Sequence, residues 1–179
     1  MCEKYTCICL SPIGNLKILY CLNGLHSIQQ VENINDESFQ PNRSQMVTIE
    51  SNDKNDSVIV DSCISWLQAY FHDPDKLSLI DQPKLCKFII DENAFQHRVW
   101  LKLYENVKYG NTISYGGLAQ LVGSPNAARA VGTAMKCNPF QLLVPCHRVI
   151  QGNGNTGRYS GGKRNTVKMW LLKHEKTNI

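Results

Sequence analysis

Residues 142–150, Leu-Leu-Val-Pro-Cys-His-Arg-Val-Ile, constrain this chain more than any other stretch. Apolar residues on both sides of Pro145-Cys146-His147-Arg148 read as a buried strand or strand edge broken in its middle. Pro145 has no N–H for a ladder, so regular pairing must end just before the cysteine. Cys146 is then a thiol held at a fixed kink, with an imidazole and a guanidinium in the next two positions. A neighbouring cation lowers a thiol's pKa and raises its thiolate fraction. The alternative is an inert buried cysteine beside two solvated side chains, the usual fate of a free cysteine.

The rest of the chain sets the frame for that kink. Its 179 residues suit one large or two small domains, and 42% apolar residues suffice for a core. A net charge of +4 permits contact with nucleic acid without demanding it. No apolar run approaches the roughly 20 residues of a membrane span. None follows Met1-Cys2-Glu3-Lys4 closely enough for a signal peptide. The eight cysteines, at 2, 7, 9, 21, 63, 86, 137 and 146, are therefore expected to be thiols or metal ligands rather than disulfides.

Two apolar runs, 5–10 and 16–21, flank Ser11-Pro12-Ile13-Gly14-Asn15, a hairpin turn by its proline and glycine. Asn23-Gly24 marks a second turn and 25–31 a third strand, giving a small antiparallel sheet. Residues 32–57 are polar and read as loop, partly disordered. Val60, Cys63, Ile64, Leu67 and Phe71 recur at helical spacing, so a helix is predicted over 58–72, ended by Asp73-Pro74. Residues 75–90 cross to a further helix marked by Phe95, Val99, Leu103 and Val107 and capped by Asn93. The domain boundary is placed near 90, giving domains 1–90 and 91–179.

Ser114 can cap a short helix over 115–122, and Gly123-Ser124-Pro125 breaks it before a second helix over 125–136. Ala127, Ala130, Val131 and Ala134 form the expected inner face of that helix, and Asn126, Arg129, Thr133 and Lys136 its outer stripe. The pair reads as a helix-turn-helix. It is either an ordinary helical hairpin with a solvated face or, given such small side chains, a surface built to lie close to a nucleic-acid groove. A last helix over 165–176 presents Val167, Trp170 and Leu171, with Glu175 at the apolar edge. Glu175 is a solvated end or a buried partner for His147.

Together these residues resemble the O6-alkylguanine-DNA alkyltransferases, or methylated-DNA–protein-cysteine methyltransferases. The carrying motif is Pro145-Cys146-His147-Arg148-Val149. It is supported in order by Tyr115, Ala127-Ala128-Arg129-Ala130-Val131-Gly132, Asn138-Pro139, Tyr159-Ser160-Gly161-Gly162 and Trp170-Leu171-Leu172 leading to Glu175. The resemblance is nearly continuous from about 95 to 175 and weaker toward the amino terminus. It implies an α+β, or α/β, fold. An N-terminal ribonuclease-H-like sheet-and-helix domain precedes a C-terminal winged helix-turn-helix-like domain that holds the cysteine.

The implied reaction moves an alkyl group from O6 of guanine in DNA, and from O4 of thymine, to Cys146. The thioether product cannot be cleaved, so the protein acts once. The resemblance makes Glu175 orient His147, His147 take the thiol proton through a water, Tyr115 protonate the leaving base and Asn138 hold the turn before the cysteine. This is the nucleophile, base and orienting-acid logic of hydrolases. The target base must leave the stack, and Arg129 is implied to fill its place from a recognition helix in the minor groove, with Ala127 and Ala128 against the DNA. Met135, Cys146, Val149, Gly157, Tyr159 and Ser160 are implied around the base, and Lys168 resembles a family lysine near the cysteine. The implied partner is double-stranded DNA bound by a monomer in the nucleus.

The resemblance further implies a structural zinc site. Cys2, Cys21 and His26 match three ligands of the vertebrate pattern, and Cys86 falls where histidine is expected. Both residue types bind zinc well; four unrelated side chains are the alternative. Cys7, Cys9, Cys63 and Cys137 read as packing residues. Gln141 stands where vertebrate members have a proline on the pocket wall, which predicts weaker reaction with O6-benzylguanine. Two other functions compete. A cysteine hydrolase would draw its nucleophile and histidine from distant segments, and no oxyanion-hole motif is visible. A non-catalytic lesion binder would have no use for Cys146, His147 and Glu175 together.

Overall fold

The computed structural model describes residues 2–31, 34–54, 56–87, 91 and 93–177. The chain forms two compact units, residues 1–34 with 38–90 and residues 35–37 with 91–179. The domain boundary expected near 90 lies outside the described residues.

In the first unit, β1 (Tyr5–Leu10), β2 (Leu16–Cys21), β3 (Gly24–Gln30) and β4 (Thr48–Asn52) form an antiparallel sheet in the order β3-β2-β1-β4. Alternation sets its buried face: Cys7 and Cys9 from β1, and Leu16, Ile18 and Tyr20 from β2, are fully buried. Helix α1 (Val58–His72) turns Val60, Cys63, Trp66, Leu67 and Tyr70 inward, and the Ser57 hydroxyl caps it by accepting from the Val60 amide. Each large aliphatic side chain so buried contributes about 1.5–3 kcal/mol relative to exposure. Burial pushes the Cys7 thiol up to about 11 and those of Cys9 and Cys63 up to about 12, so all three are inert packing residues. Strand β4 corrects the expectation of a loop throughout 32–57. Its residues are mostly exposed, so no apolar alternation marked it; pairing with β1 makes it a strand.

The second unit is mainly helical. Helix α2 spans Phe95–Asn106 and buries Val99, Trp100 and Leu103. Its cap is Ala94, without a side-chain bond, and not Asn93, whose own amide donates to Asp91 Oδ1 in a local turn. Strand β5 (Ile113–Ser114) leads into α3 (Tyr115–Leu121), where the Ser114 hydroxyl accepts from the Gly117 amide as expected. Helix α4 spans Ala128–Lys136 and starts later than position 125, because hydrogen-bonded turns over 122–127 occupy the intervening chain. Val131, Ala134 and Met135 face inward; Ala130, expected there, is exposed beside Arg129 and Thr133. Strand β6 (Val149–Ile150) pairs in parallel with β5. Helix α5 spans Asn165–His174, with Glu175 as its C-cap. Its first turn is capped from far away in sequence: Asp36 Oδ1 accepts from the Thr166 amide and hydroxyl, each at 2.7 Å. Among the described residues no helix is long and apolar enough to cross a membrane.

Candidate active site and metal centre

The segment before Cys146 is a chain of turns rather than the expected strand. Leu142 is fully buried at φ 73°, a left-handed conformation that costs a branched side chain about 1–2 kcal/mol. Asn138 locks the bend: its Nδ2 donates to the Val144 carbonyl at 2.8 Å, and its Oδ1 accepts from the Phe140 amide at 2.9 Å. Pro145 (φ −79°, ψ 66°) is the centre of an inverse γ-turn in which the Cys146 amide donates to the Val144 carbonyl at 2.7 Å. Cys146–Arg148 then form one 3-10 turn, and strand geometry resumes only at Val149.

His147 and Arg148 both turn to the far end of α5. Glu175 Oε1 accepts from His147 Nε2 at 2.7 Å and from Arg148 Nη2 at 3.0 Å; Oε2 accepts from Arg148 Nε at 2.8 Å and the Gly110 amide at 3.2 Å. Arg148 Nη1 donates to the Val107 carbonyl. Burial alone would raise the Glu175 carboxyl, but His147 and Arg148 hold it well below the usual carboxylate range. Glu175 is thus the buried partner of His147 and not a frayed end. Burial lowers the pKa of His147 despite the carboxylate, so the ring is neutral at physiological pH. With Nε2–H donating to Glu175, Nδ1 is the nitrogen that remains basic.

Cys146 itself departs from expectation. Burial pushes its thiol up, outweighing Asn138, Tyr159 and the charge of Lys168. Arg148 does not offset this, because its guanidinium is paired with Glu175. The cation nearer in effect is Lys168, fully buried, whose Nζ donates to the Val149 carbonyl at 2.6 Å; burial lowers it to about 8. Burial also raises Tyr115, reinforced by Cys146, so its phenol keeps its proton at neutral pH. The sulfur opens onto a cavity of about 240 Å³.

In the first unit, Cys2, Cys21, His26 and Cys86 bring their ligand atoms within 4.8 Å of one another. Cys2 Sγ lies 3.2 Å from His26 Nε2, and Cys21 Sγ lies 3.6 Å from Cys86 Sγ. Gly24, at φ +143°, lets the 84–86 segment approach: a Cβ there would stand 2.7 Å from the Lys84 carbonyl oxygen. That closeness brings Cys86 beside the β2–β3 turn. Three thiols and an imidazole suit a tetrahedral metal ion. Zn–S bonds of about 2.3 Å put sulfurs about 3.8 Å apart, near the separation of Cys21 and Cys86.

Residues 94–177 match the family model for the 6-O-methylguanine DNA methyltransferase DNA-binding domain. A methylated-DNA–protein-cysteine methyltransferase of Rattus norvegicus is 38% identical over 172 residues, covering 96% of this chain and 81% of that one. The Homo sapiens protein of the same name is 37% identical over 174 residues, covering 97% and 81%. The chain belongs to the methylated-DNA–protein-cysteine methyltransferase family. A crystal structure of the Mycobacterium tuberculosis O6-methylguanine methyltransferase superposes with a TM-score of 0.69 at 30% identity, covering 97% of this chain and 93% of that one. The M. tuberculosis OGT in complex with DNA also gives 0.69, at 34% identity, covering 96% and 92%.

Of the base-pocket residues that the family resemblance implies, Tyr115, Met135, Cys146, Tyr159 and Ser160 line the cavity. Val149 and Gly157 do not. Val149 is fully buried behind the cysteine, and Gly157, at φ +72°, shapes the neighbouring loop. Gln141 is buried, close to the Tyr159 hydroxyl, and is not a cavity wall. Ala127 and Ala128 are half-buried at the start of α4, and Arg129 is exposed. Cys137, read as a packing residue, is exposed as the C-cap of α4. Sequence reasoning missed Gly132, Lys136, Arg158 and Gly161 on the cavity. It also missed Arg148 and Gly110 as partners of Glu175. The helical spacing of α4 carried a signal for Gly132 and Lys136; the ion pair of Arg148 is a tertiary contact with no signal in spacing.

Proposed function

We propose that this chain repairs alkylated DNA directly, transferring a methyl or larger alkyl group from O6 of guanine to Cys146 in a single use. The carrying observation is a cysteine that opens onto a cavity while the histidine beside it is held by a buried, fully hydrogen-bonded glutamate. The thiol rests protonated, so a base must take its proton during the reaction. Neutral His147 does so at Nδ1, through one water, while Glu175 stabilises the imidazolium. The thiolate attacks the alkyl carbon, a carbon–sulfur bond forms and the carbon–O6 bond breaks. Tyr115 gives its proton to the departing guanine ring, and the proton on His147 balances that loss. Asn138 keeps the thiol aimed by holding the Val144 carbonyl.

The DNA reading extends to geometry. The exposed face of α4, with Arg129, Ala130 and Thr133, is small and cationic, which suits the minor groove. Arg129 enters the stack in place of the flipped guanine, and contacts to phosphates make binding largely independent of sequence. The acting species is a monomer, located in the nucleus with its substrate, and residues 1–90 and 91–179 are its two domains. Zinc held by Cys2, Cys21, His26 and Cys86 would tie the amino terminus to the sheet and leave the chemistry alone. A titration tests the single-use reaction: with lesion duplex in excess, repair should stop at one lesion per protein. Continued turnover would overturn it.

A further inference from the structure

Two cations on the cavity have no use in the alkyl transfer just described. Lys136 ends α4 and Arg158 precedes Tyr159; both line the cavity that contains Cys146, and both are exposed. Neither makes an ion pair among the described residues. Among the described residues no carboxylate lines the cavity. Their stems converge on one turn. A Cβ built on Gly161 would stand 4.0 Å from Lys136 Cε, and one on Gly162 would stand 3.6 Å from Arg158 Cδ. Both glycines have positive φ, at 71° and 94°, where side chains are strained, so the turn stays bare beneath the two cations. Two uncompensated positive charges at the mouth of a pocket make a field that attracts an anion.

Resting on the function proposed above, we infer that Arg158, with Lys136, grips a phosphate flanking the extruded nucleotide. A base that fills the cavity leaves its sugar and flanking phosphates at the mouth, where these side chains stand. A guanidinium suits this task because its planar fork matches phosphate oxygens in a bidentate way. The grip holds the nucleotide out of the helix while the thiol reacts. Arg158 is therefore a binding residue for DNA that free base cannot engage.

The test compares single-turnover methyl transfer from a lesion duplex and from free O6-methylguanine. Arg158→Gln should lower the ratio of duplex rate to free-base rate by roughly tenfold, reduce the logarithmic salt slope of duplex binding by about one, and Arg158→Lys should recover part of the loss. Replacing the gripped phosphate by a neutral methylphosphonate, each flanking position in turn, should slow the wild type and leave Arg158→Gln little further affected. Equal losses on both substrates, or a full Arg158→Gln penalty on both methylphosphonate duplexes, would overturn the inference. Wild-type protein that takes no methyl group from either substrate would overturn the function reading, and this inference with it.

Discussion

Glu175→Gln is the most informative single substitution. It removes the charge from a carboxylate on which four N–H donors converge, from His147, twice from Arg148, and from Gly110. At about 1.5–3 kcal/mol per charge-assisted bond, four independent bonds would rival the entire stability of a domain, about 5–15 kcal/mol. They share one carboxylate and do not add. The governing quantity is the cost of stripping one partner from a buried ion pair, about 3–5 kcal/mol. Glutamine keeps one accepting oxygen, so a loss near the lower end, about 3 kcal/mol, is expected. The pH dependence separates this cause from generic damage. The folded Glu175 carboxyl lies below its unfolded value. Its contribution is therefore complete above the unfolded pKa of about 4.3 and is lost as pH falls toward the folded value, at up to about 1.4 kcal/mol per pH unit. Denaturant unfolding of both proteins should show the full gap at neutral pH and a shrinking gap at about pH 3 to 4. Methyl transfer should also slow by about 10²–10⁴-fold, because His147 loses its orienting partner. A gap that is the same at both pH values, or no gap, would refute the reasoning.

Other substitutions separate the remaining parts. Tyr115→Phe should slow transfer by about 10²-fold or more with little change in folding, read by single-turnover kinetics. Asn138→Ala leaves the Val144 carbonyl and the Phe140 amide without their partner; a loss of about 1–3 kcal/mol in unfolding free energy is expected, with slower transfer. Chelation, or Cys86→Ala, should release bound zinc and lower the melting temperature, while Cys86→His should retain the metal, measured by elemental analysis and calorimetry. Gln141 lies off the cavity lining, so Gln141→Pro should be inactivated by O6-benzylguanine at the wild-type rate; a faster rate would place residue 141 against the bound benzyl ring.

Local periodicity made much of the fold legible. The strands β1–β3 announce themselves as short runs between Pro/Gly and Asn-Gly turns, and helix α1 by the helical spacing of its buried face. Strand β4 is exposed on both faces and acquires strand geometry only by pairing, so no pattern marked it. The start of α4 was misplaced because Pro125 suits either a first helical turn or the turn it occupies. At the site, the order of motifs named Cys146, His147 and Glu175. The tertiary arrangement decided what they do: Arg148 is spent on Glu175, so the thiol is not lowered by its neighbour in sequence. Arg158 and Lys136 lie 22 positions apart, and both stand beside the same glycine turn at 161–162.

The most direct measurement is intact mass after mixing the protein with a duplex carrying one O6-methylguanine, followed by peptide mapping. The account predicts a gain of one methyl group on Cys146, absent in Cys146→Ser. A methyl group on another residue, or intact lesion with bound duplex and unmodified Cys146, would contradict it.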